Sequence, residues 1–548
     1  MQNILIQKKW ILLLILAIGI FFRFYNLNWG SPFYFHPDER NISSSVTQLN
    51  FPQMNPHFFA YGSLPIYAIY FTGVVINYIQ SIFFYQIPII NQITRISFEN
   101  SLIISRLFSA ALSVILLLLI YKTATMLKGR NAGIIALIFS ATSTGFIQFA
   151  HFGTFETWLA LLSTLLFYFL LKFIKNRKNI YYLLSIFTLG ILISVKISSL
   201  VLTPLPLLAL IFYHSKSNIH PSLILRNLLF SVLLLVVIPL ICFFVFSPYS
   251  ILDYKSFTSS IFYESSVAIG TMHVFYTDGF YNTMPILFQF TKIYPFLINP
   301  VLTILFLPIL IVFTYKTLVK KDFEQLLLLA FFFIIFFSQV FLFAKWTRYM
   351  LPTLPFIYLI ISVEISSLIK SKNLSLVRYL ILIVIFFASF IYCLSFFITN
   401  YIHKDTRISA VEFVKQNLPK NSKVLSEVYD MGIVPLNSHF YNINLFNFYD
   451  LDNSLYKEKE LYANLNNYDY IILPSTRILR SRFLNPSIFP KGYSFYKNLI
   501  SGKNGYKMIY VTPCDIFCKI VYVNNPVFGL EETVYVFDRP TIYIFKKQ

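Results

Sequence analysis

The sequence predicts a mainly α-helical protein that crosses a membrane about eleven times and carries a small α/β domain on its outer side. Three observations predict it. Of 548 residues, 57% are hydrophobic and 19% aromatic, while only 12% are charged; a soluble globular chain is roughly a quarter charged. The apolar residues gather in runs of membrane-spanning length. Lys and Arg, 44 against 23 Asp and Glu, collect in alternate short loops between those runs, as positive-inside topology requires. The net charge of +21 is therefore read as an orientation signal. A nucleic-acid partner would need that charge gathered on one face, and none is expected.

The first run, Trp10–Phe24, follows Lys8 and Lys9 and lacks a small-residue cleavage site after it, so it is expected to be an uncleaved span with the N-terminus in the cytoplasm. Further spans are expected at Ser101–Tyr121, Ala132–Ala150, Phe155–Leu171, Ile180–Lys196, Ser199–Tyr213 and Leu225–Phe246. The last four are Ile293–Tyr315, Leu326–Lys345, Tyr349–Ile369 and Leu376–Thr399. This parity puts Lys122, Lys128 and Arg130 inside, then Lys172, Lys175, Arg177 and Lys178, then Lys216 and Arg226. Lys316, Lys320 and Lys321 follow inside, with Lys370, Lys372 and Arg378. One more run, Leu64–Ile87, is apolar enough to cross, but crossing would put Lys122–Arg130 outside. It is therefore expected to be a juxtamembrane or re-entrant element on the outer face, where irregular backbone implies a protein-covered or water-filled cavity.

The outward segments are then Tyr25–Asn100, the Ala150–Glu156 turn, Ser247–Lys292 and everything from Asn400. The expected organisation is a transmembrane domain at 1–399, with its chemistry in the first outer loop at 25–100, and an extracytoplasmic domain at 400–548. The latter should hold a helix at Arg407–Leu418 and strands at Lys423–Val428, Tyr470–Leu473 and Lys507–Val511. Cys514 and Cys518 are close enough to pair if that domain is outside; Cys242 and Cys393, inside apolar runs, read as buried thiols. No internal repeat and no Gly-rich phosphate loop occurs.

The chemistry-bearing residues cluster in the outward segments. "FYFHPDERNISSS" puts Asp38 and Glu39 just beyond the first span, flanked by His36 and Arg40. A carboxylate beside apolar wall has a raised pKa and can serve as a base, while Pro37, Asp38 and Glu39 also suit the first turn of a helix. His57, Tyr61 and a Gly-Ser-Leu-Pro turn open the demoted run, and "AHFGTFETW" carries His151 and Glu156. Arg106, Lys196 and Arg348 sit at or just inside outer helix ends, where a cation is a functional candidate unless it snorkels to headgroups. Three cations and three acids on one side suit an anionic headgroup, such as a lipid phosphate, beside a catalytic carboxylate.

The order of these motifs resembles the GT-C superfamily of integral-membrane glycosyltransferases. Within it, the chain is similar to the branch of dolichyl-phosphate-mannose protein mannosyltransferases and aminoarabinose transferases. "HPDER" resembles the Asp-Glu motif, with Asp38 in the place of the catalytic base. "YGSLPIY" stands where a Pro-Pro-Leu-Tyr element is frequent, "ISVKISS" resembles a Thr-Lys-Gly stretch, and "RYMLPTLP", with Arg348 and Tyr349, an Arg-Tyr-x-x-Pro-x-x-Pro stretch. "YDYIILPSTR" and "EETVYVFDRPTIYIFKK" look like tails of prokaryotic members. Glu156 stands where Asp is frequent, Val195 where Thr is usual, and Ile197 where Gly is usual.

The resemblance implies a polyprenyl-phosphate-linked sugar as donor, membrane lipids around it, and an extracytoplasmic acceptor that is a glycan, lipid or protein. Asp38 would deprotonate the acceptor, and displacement would invert the anomeric centre. Arg106, Lys196 and Arg348 would face the leaving phosphate, and Glu39, His36 or Glu156 would orient the acceptor or Asp38. No cofactor is expected, because Arg and Lys can neutralise the phosphate; a divalent ion held by His36, His57, His151 and the acids is the less favoured alternative. With no eukaryotic-looking luminal insertion, a prokaryotic plasma membrane is expected. The other class open to such a chain is a transporter or lipid flippase, against which stand the missing inverted repeat and the one-sided charge.

Overall fold

The described residues of the computed structural model are 2–83, 90–215, 221–369, 376–428 and 431–548. Expectations for Lys216, Lys370 and Lys372, and for the last residues of the 64–87 run, fall outside them. Helix α1 (Gln2–Phe24) leads to α2 (Pro37–Gln48) and α3 (Leu64–Phe83). The bundle continues with α4 (Phe98–Lys128), α5 (Arg130–Ala141), α6 (Thr144–His151), α7 (Glu156–Asn176) and α8 (Asn179–Val195). Then come a 3-10 turn at Ile197–Leu202, α9 (Pro204–Ser215), α10 (Pro221–Phe246) and α11 (Tyr254–Ile269). The last spans are α12 (Pro300–Lys320), α13 (Phe323–Val340), a 3-10 helix at Thr347–Thr353, α14 (Leu354–Ile369) and α15 (Leu376–Phe397).

Among the described residues, nine helices are long and apolar enough to cross a membrane, or ten if the bent pair α5–α6 is one span. Trp10–Phe24 and Asn179–Val195 are shorter apolar helices. Helix α3 is one of the nine, and its neighbours show where it runs. Gly62 N donates to Val195 O (2.9 Å) and Ser63 N to Ser247 Oγ (3.1 Å), so α3 starts beside the ends of α8 and α10. Midway along, Gly73 meets Ile96 and Asn77 donates to Ile93 O (3.0 Å), just before α4 begins. All these points lie at one end of the bundle, so α3 lies across that end as a juxtamembrane helix. Counting the bent pair α5–α6 as one span, setting α3 aside and adding the two shorter helices gives eleven candidate crossings among the described residues.

Three boundaries differ from expectation. The expected span Ala132–Ala150 is bent by 54° between α5 and α6. The break is stabilised from both sides: Ser143 Oγ accepts from Phe146 N, and the buried Arg23 guanidinium donates to Ser140 O (3.0 Å) and Ala141 O (3.2 Å), carbonyls that a helix end leaves free. The expected span Ile293–Tyr315 starts only at Pro300, because Asn299, at φ 77°, caps the helix there. Leu326–Lys345 stops as a helix at Val340, which frees the stretch that carries Trp346 and Arg348.

The C-terminal region is α/β. The expected helix appears as α16 (Thr406–Asn417), and the three expected strands appear as β1 (Lys423–Glu427), β3 (Tyr470–Leu473) and β4 (Tyr506–Val511). Two further strands, β2 (Asn442–Phe446) and β5 (Tyr543–Lys547), complete a sheet of order β2-β1-β3-β5-β4. The β2-β1-β3 part is parallel; β3-β5 and β5-β4 are antiparallel. Strand alternation gives it two faces: Leu425, Ile471 and Phe545 pack under Phe495 and Leu499, and Val424, Ile472 and Ile544 under Ala410 and Val414 of α16. Cys514 and Cys518 form a disulfide; Cys242 and Cys393 are free and buried.

Candidate active site

Asp38 and Glu39 are consecutive residues in the first turn of α2, about 100° apart around the helix, so they face different surroundings. Glu39 points into the bundle, where Arg106 of α4 binds it through Nε (2.9 Å) and Nη2 (2.6 Å). Gly153 N adds a third donor at 2.6 Å. Arg106 uses its remaining nitrogen on Leu27 O (2.7 Å) and Trp29 O (2.8 Å), with its guanidinium 4.4 Å from the Trp29 ring centre. Both side chains are fully buried. This clamp ties α2, α4, the 25–30 loop and the 151–155 turn together, and the structure places Arg106 and Glu39 against each other, away from the cavities that Asp38 lines. Four of the five guanidinium N–H donors are spent in this clamp, and the fully buried Arg106 lines neither of the cavities described below.

Two more expected ligands are likewise structural. His151 is buried with its ring stacked 3.7 Å from Tyr401 and each nitrogen 2.8 Å from a backbone carbonyl, of Ile147 and Tyr25. Arg40 donates to Phe33 O (3.1 Å) and lies over the Phe98 ring. Neither lines the cavities described next.

Asp38 points the other way, into a split cavity. One chamber, of about 450 Å³, lies toward the C-terminal region and is walled by His36, Phe152, Tyr276, Trp346 and Phe537. The other, of about 410 Å³, lies toward Tyr61, Lys196, Gln339 and Tyr349. Four residues line both: Asp38, Asn41, Glu264 and Arg348. They form the neck between the chambers. Asn41, three residues after Asp38, shares its helix face. Glu156, at the start of α7, lines the first chamber and a narrow cleft that also touches Lys196 and Arg348.

The neck is strongly polarised. Arg348 Nη1 pairs with Asp38 Oδ2 and donates to the Tyr61 hydroxyl (3.3 Å), with Trp346 4.8 Å beneath the guanidinium. The Lys196 ammonium lies 5.3 Å from the Tyr349 ring centre and 5.5 Å from that of Tyr61, and forms no salt bridge among the described residues. Among the described residues, three buried polar atoms around the cavity lack a partner: His36 Nδ1, Glu156 Oε2 and Arg348 Nε. Such orphans are costly unless a ligand or water meets them. Burial alone would raise the Asp38 carboxyl, but the Arg348 guanidinium outweighs it and holds Asp38 below its usual range. Burial raises Glu264 and lowers His36.

Of the expected site residues, Asp38, His36, Tyr61, Glu156, Lys196, Arg348 and Tyr349 meet at this cavity. Sequence reasoning missed Glu264, Asn41 and Trp346. Glu264 had a signal, a lone acid in the outward helix "SSIFYESSVAIG"; Asn41 had only its three-residue spacing from Asp38. Among the described residues, no three of His, Cys, Asp and Glu are grouped so as to hold a metal ion.

Residues 82–248 match the family model described as dolichyl-phosphate-mannose-protein mannosyltransferase. The chain matches no curated protein. Among solved structures, the oligosaccharyltransferase of Archaeoglobus fulgidus in its apo form aligns over 98% of this chain and 88% of its own, at 12% identity and a TM-score of 0.52. The archaeal oligosaccharyltransferase AglB from the same organism, in complex with an inhibitory peptide and a dolichol-phosphate, aligns over 99% and 89% at 12% identity and 0.50. ArnT from Cupriavidus metallidurans bound to undecaprenyl phosphate aligns over 97% of both chains at 11% identity and 0.49. At such identities, the likeness is one of fold.

Proposed function

The chain shares the fold of the GT-C integral-membrane glycosyltransferases, and from that premise we propose that it transfers a sugar from a polyprenyl-phosphate-linked donor to an extracytoplasmic acceptor. The observation that carries this reading is the neck: two chambers that meet at Asp38, Asn41, Glu264 and Arg348. A two-substrate displacement needs two binding spaces with the reacting atoms between them. The chamber with Lys196 and Tyr61 takes the lipid phosphate and its sugar; the chamber toward the C-terminal region takes the acceptor. A dolichol-phosphate in the AglB structure supports the choice of lipid carrier.

Asp38 accepts the proton of the acceptor hydroxyl or amine as that atom bonds to the anomeric carbon. The bond from that carbon to the phosphate oxygen breaks on the opposite face, which inverts the centre, and its electron pair stays with the phosphate. Arg348 and Lys196 face the charge that grows there; such fixed cations are worth about 10²–10³ in rate each. The Asp38–Arg348 pair gives the site an order. An incoming phosphate competes for Arg348, and as it wins, Asp38 loses the neighbour that depresses its carboxyl and becomes the stronger base. Glu156 and His36 remain to orient the acceptor.

We assign the boundary between the transmembrane and soluble domains to residues 399 and 400, with the N-terminus in the cytoplasm of a prokaryote and the soluble domain outside. The Cys514–Cys518 disulfide suits an oxidising compartment, and the basic loops at the other end suit the cytoplasm. The test is to supply purified protein in lipid with labelled polyprenyl-phosphate sugars, one donor at a time, and compare wild type with Asp38→Asn. Transfer or release that vanishes in the variant is the expected result. Equal turnover by both would remove Asp38 as base, and flux of a lipid or solute through proteoliposomes without any sugar transfer would establish a transporter instead.

A further inference from the structure

The stretch "EETVYVFDRP", Glu531–Pro540, takes no part in the chemistry above, yet it touches both sides of the neck. Glu531 is fully buried and reaches from the C-terminal region into the membrane bundle. Its N–H donates to Lys292 O (3.0 Å). Its Oε2 accepts from Thr347 N (3.1 Å) and Thr347 Oγ1 (2.7 Å), and its carboxylate is fixed from behind by Thr533 N (3.2 Å) and the Thr533 hydroxyl. Thr347 opens the 3-10 helix and is bonded directly to Arg348. Six residues on, the Phe537 ring packs 4.3 Å from the imidazole of His36, two residues before Asp38. Along the same stretch, Val534 O and Asp538 Oδ2 accept from Gln148 Nε2 of α6 (2.8 and 3.1 Å).

We propose that Glu531 is a positioning residue for Arg348, and that the Glu531–Asp538 strap sets the spacing of the two sides of the neck. The inference rests on the reading of Arg348 as the cation that meets the leaving phosphate. Among the described residues, Arg348 has an unpartnered Nε and one salt-bridge partner, Asp38, so its side chain does little to fix where its backbone sits; the Glu531–Thr347 contact holds it. A carboxylate on the first N–H of a helix turn is a strong, directional hold. The soluble domain is then part of the reaction centre and not an appended acceptor-binding module.

The experiment measures kcat, donor KM and polyprenyl phosphate affinity for wild type, Glu531→Gln, Thr347→Val and Thr347→Ser, each normalised to protein that stays monodisperse with a cooperative thermal transition. Glu531→Gln and Thr347→Val are expected to lower kcat by about 10-fold to 100-fold, the scale of an ångström-level misplacement, with a smaller change in donor KM. Thr347→Ser, which keeps the hydroxyl donor, is expected to stay near wild type. In an Arg348→Gln background, Glu531→Gln should add nothing further, because both act through one group. Effects that multiply in the double variant, or folded Glu531→Gln and Thr347→Val turning over like wild type, would overturn the proposal while leaving the transferase reading intact. Wild type that neither transfers sugar nor binds polyprenyl phosphate would remove the reading and the inference together.

Discussion

In the proposed reaction, Asp38 shares Arg348 with the incoming phosphate, so its basicity is set by occupancy as much as by burial. Arg348 lowers the Asp38 carboxyl; removing it raises that carboxyl, and a base must be deprotonated to act. Arg348→Gln is therefore expected to shift the acid limb of the rate–pH profile upward and to lower kcat by about 10²–10³-fold; an unmoved acid limb would show that Asp38 is not the titrating base. Glu39, the adjacent residue, answers to packing instead. Glu39→Gln leaves the fully buried Arg106 charge without its counter-ion and is expected to cost about 3–5 kcal/mol, read as a fall in unfolding midpoint. That two neighbouring acids differ so far was half legible. The pair was visible in "HPDER", but which acid faces inward depends on where α4 lies, which no local pattern carries.

The elements that shape the site are its breaks. Arg348 stands on a 3-10 helix where α13 has already ended, Lys196 on the extended residue between α8 and the 197–202 turn, and Glu156 follows the bent pair α5–α6. Apolar periodicity reads a break of two or three residues as continuous span, because lipid-facing and protein-facing residues are equally apolar there. Arg23, which caps the end of α5, shows the cost of that blindness: it lies inside the first apolar run, and its partners come from two other helices. Gly62 shows a break that the sequence did mark. A Cβ there would stand 1.9 Å from Ser194 O, a backbone atom that cannot swing aside. Gly62→Ala is thus expected to displace the start of α3 and the adjoining Tyr61, with loss of thermal stability and of polyprenyl phosphate affinity; unchanged values for both would show that this approach is not tight in solution.

At the scale of the molecule, the soluble region and the bundle share buried polar contacts, and one of them titrates. Burial raises the Asp538 carboxyl to about 7 from 3.8, so the folded protein holds a proton that the unfolded chain has released. Stability then falls as pH rises from about 4 to about 7 and stays low above it. Asp538→Asn is expected to flatten that dependence and to gain on the order of a few kcal/mol above pH 7, measured as unfolding midpoint against pH; a parallel curve for both proteins would refute it. The orientation is checked by single cysteines with an impermeant reagent on intact cells. Lys415→Cys on α16 is expected to react at once, and Lys320→Cys only after permeabilisation; the reverse order would invert the assignment.

By itself the sequence determined the class, most of the apolar helices, and three of the five strands. These follow from hydrophobic length, loop charge and alternation, which are local properties that solvent reads directly. It also placed Asp38, Lys196, Glu156 and Arg348 in one group, since topology alone brings helix ends to one side. Only the tertiary structure decided which charges face a cavity and which face one another. Arg106, within α4, is enclosed by Glu39 and the carbonyls of Leu27 and Trp29, whereas Arg348, paired with Asp38 at the edge of an open chamber, keeps an orphan nitrogen among the described residues. The reason is that pairing energy depends on distance and burial across the fold, and both are fixed by contacts between residues hundreds of positions apart.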